Sequence, residues 1–254
     1  MIIIKYNLLI DLDDTLIHCN KYFKETIDSF TDYIINWFGL SLVEKSKIKE
    51  KQYEFDMIEI KKCGLTHHGF IQSLINTYKF FSSESGRKHY QLEEKVIYDL
   101  GMSLFKNKHY ELYQNILPTL IKLSKFHNLY IYTAGNTDVQ LNKIESNNLT
   151  EIFPQKNIII VLQKNVEILS KILIEREISK NNTWIIGNSL KSDILPALEV
   201  GINAIHIPAE VEWEYNKVTM ETTPSNLYFA SNFAEIHNIL NNSNVKKLER
   251  QSLI

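Results

Sequence analysis

The chain has 254 residues, 44% of them hydrophobic and 23% charged, with a formal net charge of −2. It is long enough for a full core, as one large domain or as a core carrying an inserted domain, and its charge makes no electrostatic case for a nucleic-acid or membrane partner. Two cysteines, Cys19 and Cys63, form neither a disulfide framework nor a zinc site, so a reducing, cytoplasmic setting is expected. The opening residues from Met1 to Lys5 are too short for a secretory signal, and no apolar run reaches membrane-spanning length. Eight glycines and five prolines disfavour an all-β chain of tight turns and favour long helices.

Ile2 to Ile4 and Leu8 to Ile10 read as a buried strand, short and aliphatic. Asp11, Asp13 and Asp14 follow at once, with Thr15 behind them. Asp is a poor strand residue and costly to bury unpaired. In an open α/β sheet, ligands bind just outside the carboxyl ends of the strands. Asp11 and Asp13, two apart, point the same way in extended chain and repel each other unless a cation or a shared proton lies between them. One reading is a divalent-metal site in which a carboxylate is also a nucleophile; the other is an acidic turn capping the next helix.

From Asn20 to about Leu112 the pattern is helical. Phe23, Ile27, Phe30, Ile34 and Trp37 or Phe38 make a stripe ended by Gly39. Ser41 with Glu44 suggests a capping box for a helix that runs to Cys63 and stops at Gly64. A third helix begins near Thr66 and carries Phe70, Leu74, Ile75 and Tyr78; a fourth runs from about Gln91 to Lys106.

After Pro118 the rhythm changes. A helix from about Thr119 to Phe126 leads to a strand, Leu129 to Tyr132, then a polar helix, about Thr137 to Asn147. A strand from Asn157 to Leu162, a helix from Asn165 to Ile178 and a strand from Thr183 to Ile186 follow. A short helix from Ser192 to Val200 and a strand from Asn203 to Ile207 complete the alternation, with an edge strand at Asn226 to Ala230 and a helix at Phe233 to Leu240. Such alternation implies right-handed βαβ units and a doubly wound, parallel α/β sheet. The chain therefore divides into an α/β core, residues 1–18 and 113–254, and an all-helical insert, residues 19–112. Lys246, Lys247 and Arg250 in the tail read as a solvated helix end.

Each later strand ends in something polar. Thr133-Ala134-Gly135-Asn136 offers a hydroxyl and closely approachable backbone N–H groups to an anion, or is a simple N-cap. Lys164 at the next helix start opposes the helix dipole unless an anion offsets it, or is an exposed lysine. Gly187-Asn188-Ser189-Leu190-Lys191-Ser192-Asp193 follows the fourth strand, and Asp193 is a helix-start acid or a metal ligand. In a parallel sheet all four strand ends converge on one crevice.

With these four motifs in order, the chain resembles the haloacid dehalogenase-like hydrolases, mostly magnesium-dependent phosphatases. Asp11, Asp13 and Thr15 match the first motif, Thr133 the second, Lys164 the third, and Gly187 to Asp193 the fourth. The helical insert resembles the small cap domain of the subclass in which the cap follows the first motif, on a Rossmann-like core. The resemblance implies that Asp11 is the nucleophile, forming an aspartyl-phosphate, and Asp13 the general acid and base. It implies that the Asp11 and Asp193 carboxylates and the Asp13 carbonyl hold Mg²⁺, and that Thr133, the Ala134 N–H and Lys164 bind the phosphoryl group. The expected substrate is a small organic phosphomonoester. A phosphomutase or phosphotransferase on the same chemistry, or a non-catalytic binding protein of the same fold, are the alternatives; a dehalogenase has no use for Asp13 and Asp193 in these roles. Asn188 stands where many members carry Asp, a change that removes a charge near the metal. His67 and His68 in the cap reach over the phosphate site or are surface histidines at a helix start. Trp213 and Tyr215 line the cleft rim or only pack, and Cys19 is a packed thiol.

Overall fold

A computed structural model of the protein describes residues 4–39, 44–106, 110–216, 218–220 and 222–251, and of 244–251 the backbone alone. The first strand is β1, Asn7–Ile10, followed by four helices: α1, Asn20–Phe38; α2, Lys45–Cys63; α3, His67–Glu84; α4, Gln91–Lys106. Next come α5, Ile116–Ser124; β2, Asn128–Ala134; α6, Thr137–Ser146; β3, Ile158–Val161; and α7, Val166–Glu175. The chain then runs through β4, Thr183–Gly187; α8, Leu195–Val200; β5, Asn203–His206; β6, Leu227–Phe229; and α9, Ile236–Gln251.

The sheet has the order β3-β2-β1-β4-β5-β6, and every pair in it is parallel. Successive side chains in a strand point to opposite faces, and that alternation builds two cores. Leu8, Ile10, Ile131 and Ile186 pack with Leu120 and Leu123 of α5, Ile144 of α6 and Ile236 and Leu240 of α9. Leu9, Tyr132, Ile159 and Ile185 pack on the other face with Leu169, Ile172 and Leu173 of α7 and Ala197 of α8. Helices on both faces make the sheet doubly wound, as the periodicity predicts. Strand order reverses between β1 and β4, the switch point at which such sheets open a crevice.

The inserted helices bury a core of their own. Phe30 and Ile34 of α1, Ile48 of α2, Leu74, Tyr78 and Phe81 of α3, and Ile97 and Leu104 of α4 meet in it. Gly39 ends α1 in the left-handed conformation that favours glycine, and the Thr66 hydroxyl caps α3 by accepting from Gly69 N–H. The chain enters and leaves this region through paired segments: His18 N–H donates to Glu111 O (2.8 Å) and Tyr113 N–H to Leu16 O (3.0 Å).

Several boundaries differ from the sequence reading. Ile2 and Ile3 lie outside the described residues, as does Ser41 of the expected capping box; α2 starts at Lys45 behind Glu44, which forms no side-chain cap. Helix α5 starts before Pro118, because proline fits the first turn, where its missing N–H has no helical partner. Lys164 precedes Asn165, the N-cap whose side chain accepts from Ile168 N–H, so it stands outside the helix rather than in its first turn. The helix expected from Ser192 begins as a π-helical turn, Leu190–Ile194, before α8. Among the described residues, no helix is long and apolar enough to cross a membrane.

Candidate active site

The switch point brings three sequence-distant groups together. Asp11 follows β1, and its N–H donates to Ile186 O of β4 (2.9 Å), so it stays locked to the sheet. Asp193 lies in the π-helical turn after β4. Lys164, from the β3–α7 loop, donates to Asp11 Oδ1 (2.5 Å) and Asp193 Oδ1 (2.6 Å). The second Asp11 oxygen accepts from Thr15 Oγ (2.9 Å), and the second Asp193 oxygen from Ser189 N–H (3.1 Å). Asp11 is 6% exposed and Asp193 1%. A Cβ on Gly187 would stand 2.3 Å from Asp193 Oδ2, so the fourth motif needs glycine there for close approach.

Burial pushes the Asp11 carboxyl up to about 7, against the pull of Lys164 and with the Asp193 charge adding to the rise. For Lys164, burial disfavours the charge, but Asp11 and Asp193 outweigh it and hold its pKa above the ordinary value. Two carboxylates and one ammonium leave an excess of negative charge in a nearly dry site.

The Asp13 side chain pairs with a different lysine from Asp11. Its carboxylate accepts from Lys143 Nζ at 2.8 and 3.0 Å and from Gln140 Nε2 at 2.9 Å. The chain leaves the strand after Ile10, so the alternation that would align the two side chains no longer holds. Lys143 is buried, lies 4.8 Å from the Tyr110 ring centre, and is held above its usual pKa by Asp13, which outweighs the cost of burial. Neither Lys143 nor Gln140 was singled out from the sequence. The available signal was their three-residue spacing, which puts both on one face of a helix whose apolar stripe is weak.

The acidic-turn reading holds for the third aspartate. Asp14 is buried at φ +58°, and its carboxylate accepts from the N–H groups of Cys19 and Asn20 at 3.0 Å, capping α1 from outside. Burial raises its pKa to about 7.

These groups open into a cavity of about 380 Å³ between the sheet and the inserted helices. Thr133, Ala134, Asn188 and Cys19 line it, as do Trp213 and Tyr215, whose rings stack at 4.7 Å. Thr133 is fully buried and accepts from Gln140 Nε2 at 2.5 Å. Asn188 is buried, and its backbone carbonyl is 2.9 Å from His206 Nε2. Cys19 is a packed thiol whose pKa burial drives well above the usual value. Of the two histidines, His67 reaches the site: its N–H and Nδ1 each lie 2.9 Å from Asn136 Oδ1 at the β2–α6 turn. His68 is exposed and stacks on His67. Lys191 is exposed, with its ammonium 3.6 Å from the Tyr215 ring centre.

The donor set is hard oxygen. Among the described residues, no three His, Cys, Asp or Glu side chains are grouped to hold a metal ion; zinc prefers nitrogen- and sulfur-rich sets. Two buried carboxylates, Asp11 and Asp193, fit Mg²⁺, which keeps several waters and takes one or two protein carboxylates. The surplus negative charge at Asp11 and Asp193 fits a cation as well.

No protein-family model and no curated protein matches the chain. Solved structures do. A haloacid dehalogenase-like family hydrolase from Xanthomonas campestris superposes with a TM-score of 0.79 at 20% identity, over 96% of this chain and 99% of that one. The Bacillus subtilis HAD-hydrolase YfnB, bound to magnesium, gives 0.63 at 17% identity over 93% and 99%. A 2-haloacid dehalogenase from Pseudomonas syringae gives 0.61 at 16% identity over 94% and 99%. Sheet order, inserted helices and these superpositions agree: the chain has the haloacid dehalogenase-like fold, with a helical cap inserted after its first strand.

Proposed function

We propose that the protein is a magnesium-dependent hydrolase of small organic phosphomonoesters that works through an aspartyl-phosphate on Asp11. The observation that carries this reading is the Asp11–Lys164–Asp193 cluster at the switch point, with Thr133 and Asp13 on the same cavity. The catalytic core is residues 1–18 and 113–254, and residues 19–112 are the cap.

Asp11 attacks phosphorus in line, and the bond to the ester oxygen breaks. Asp13, oriented by Lys143 and Gln140, protonates the departing alkoxide. Water then attacks the acyl phosphate, Asp13 takes its proton, and inorganic phosphate leaves with Asp11 restored. Thr133, the Ala134 N–H and Lys164 hold the phosphoryl oxygens, and Lys164 also neutralises Asp11. The Asp11 and Asp193 carboxylates and the Asp13 carbonyl would hold Mg²⁺, which would supply further charge neutralisation at the phosphoryl group. Catalysis is then mostly positioning and charge stabilisation.

The test is release of phosphate from an aryl phosphate, with and without Mg²⁺, by wild type and by Asp11→Asn. Wild type should be metal-dependent. The variant should lose at least about a thousandfold in turnover with its melting profile intact. Appreciable turnover by Asp11→Asn would sink the covalent mechanism.

A further inference from the structure

We infer, building on the phosphatase reading, that the alcohol half of the substrate carries an ammonium group, received by Asp56 of the cap in an aromatic-walled chamber. The inference starts from α2. A surface helix should bury an apolar stripe, yet α2 buries Gln52, Asp56 and Glu59 beside Ile48. Gln52 and Asp56, four residues apart and so on one face, line the same cavity as Asp11 and Lys164. Buried carboxylates are normally paired. Among the described residues, no lysine, arginine or histidine makes an ion pair with Asp56, and its neighbouring charge is Glu59, of the same sign. The cations lining that side of the cavity, Lys24 and Lys49, both pair with Asp28.

The polar contact of Asp56 is the Ser73 hydroxyl. That hydroxyl donates to Phe70 O (2.7 Å) and accepts from Gln52 Nε2 (3.0 Å). Its single proton is divided between Phe70 O and Asp56, so an ionised Asp56 has one shared neutral donor and no cation. Burial raises the Asp56 carboxyl to about 7. The walls point the same way. Phe23 of α1, Phe70 of α3 and Phe105 of α4 line the cavity as a mutually edge-on trio, with ring centres 4.9 to 5.9 Å apart. Aromatic faces attract ammonium groups and offer nothing to a second anion. The chamber thus has the proposed phosphoryl-binding groups at the Lys164 end and a carboxylate with aromatic walls at the cap end, complementary to a phosphate ester with a distal amine and hostile to one with a distal carboxylate.

The test uses three esters that share an aryl leaving group: 4-(aminomethyl)phenyl, 4-methylphenyl and 4-(carboxymethyl)phenyl phosphate. Wild-type kcat/KM should fall in that order, with the amine about tenfold above the methyl ester. In Asp56→Asn the amine-to-methyl ratio should drop to within about twofold, a ratio independent of how much of the variant folds. Equal rates on all three wild-type reactions would overturn the inference and leave the phosphatase reading standing. An amine preference that survives Asp56→Asn would overturn the role of Asp56. No hydrolysis of any ester would overturn both readings. The wild-type ranking alone decides whether the chamber prefers an ammonium, even where the variant fails to fold.

Discussion

Replacing Asp56 with Asn should stabilise the protein in alkali and not in acid. The Asp56 carboxyl stands at about 7 in the folded chain against 3.8 when unperturbed, with burial the main cause. A raised folded-state value means that folding favours the protonated form. The group's contribution is fully present below about pH 4 and is lost as the pH rises through about 7. Linkage over that interval sets a ceiling of about 4 kcal/mol lost at pH 8.5 and about 1.7 kcal/mol at pH 5. The difference, about 2.5 kcal/mol at most, falls to about 1 kcal/mol once water entry and local relaxation are allowed for. Asn keeps the shape and cannot ionise, so any fixed cost of the amide cancels between the two pH values. Thermal melts of wild type and Asp56→Asn at pH 5 and 8.5 should show the variant gaining about 2–4 °C relative to wild type on going to the higher pH. A shift independent of pH, or a variant that loses ground in alkali, would refute an ionisable, unpaired Asp56. A gain would mark the residue as one that destabilises the cap, as binding residues often do.

Further outcomes follow from the geometry. Asp193→Ala should raise the Mg²⁺ concentration for half-maximal activity by about tenfold or more; an unchanged metal titration would remove Asp193 from the ion. Gly187→Ala puts a Cβ 2.3 Å from Asp193 Oδ2, so Asp193 must shift, and kcat should fall about a hundredfold. Wild-type turnover in that variant would show that the placement of Asp193 is not critical. Lys143→Met frees Asp13 from its ion pair at 2.8 Å and should lower kcat by about tenfold to a hundredfold with KM little changed, while Lys143→Arg recovers part of the loss. Equal kcat in the Met variant would leave Lys143 with a packing role alone.

The local patterns of this chain reported on what local physics controls. Alternation of apolar runs gave the order of strands and helices. Thr66, Gly39 and Gly64 marked helix ends because capping is settled within a few residues. Asp11, Thr133, Lys164 and Asp193 were legible as a site because each stands at a strand end, and a parallel sheet gathers those ends at one edge. Helix α2 was placed correctly, yet its buried polar face was not foreseen, because burial depends on what a helix packs against. The same holds for partners. Lys143 is 130 residues from Asp13 and Lys164 is 153 from Asp11, and no periodicity links residues so far apart. The turn after Ile10 sends the Asp11 and Asp13 side chains to different lysines, which their two-residue spacing did not show. The amino-acid pattern alone thus defines the elements, their order and the acidic strand end, since hydrogen-bond period and side-chain chemistry are local. Which charges neutralise which, and that the cap turns a carboxylate into the cavity, only the packed fold decides, because Coulomb and desolvation energies depend on distance through space rather than along the chain.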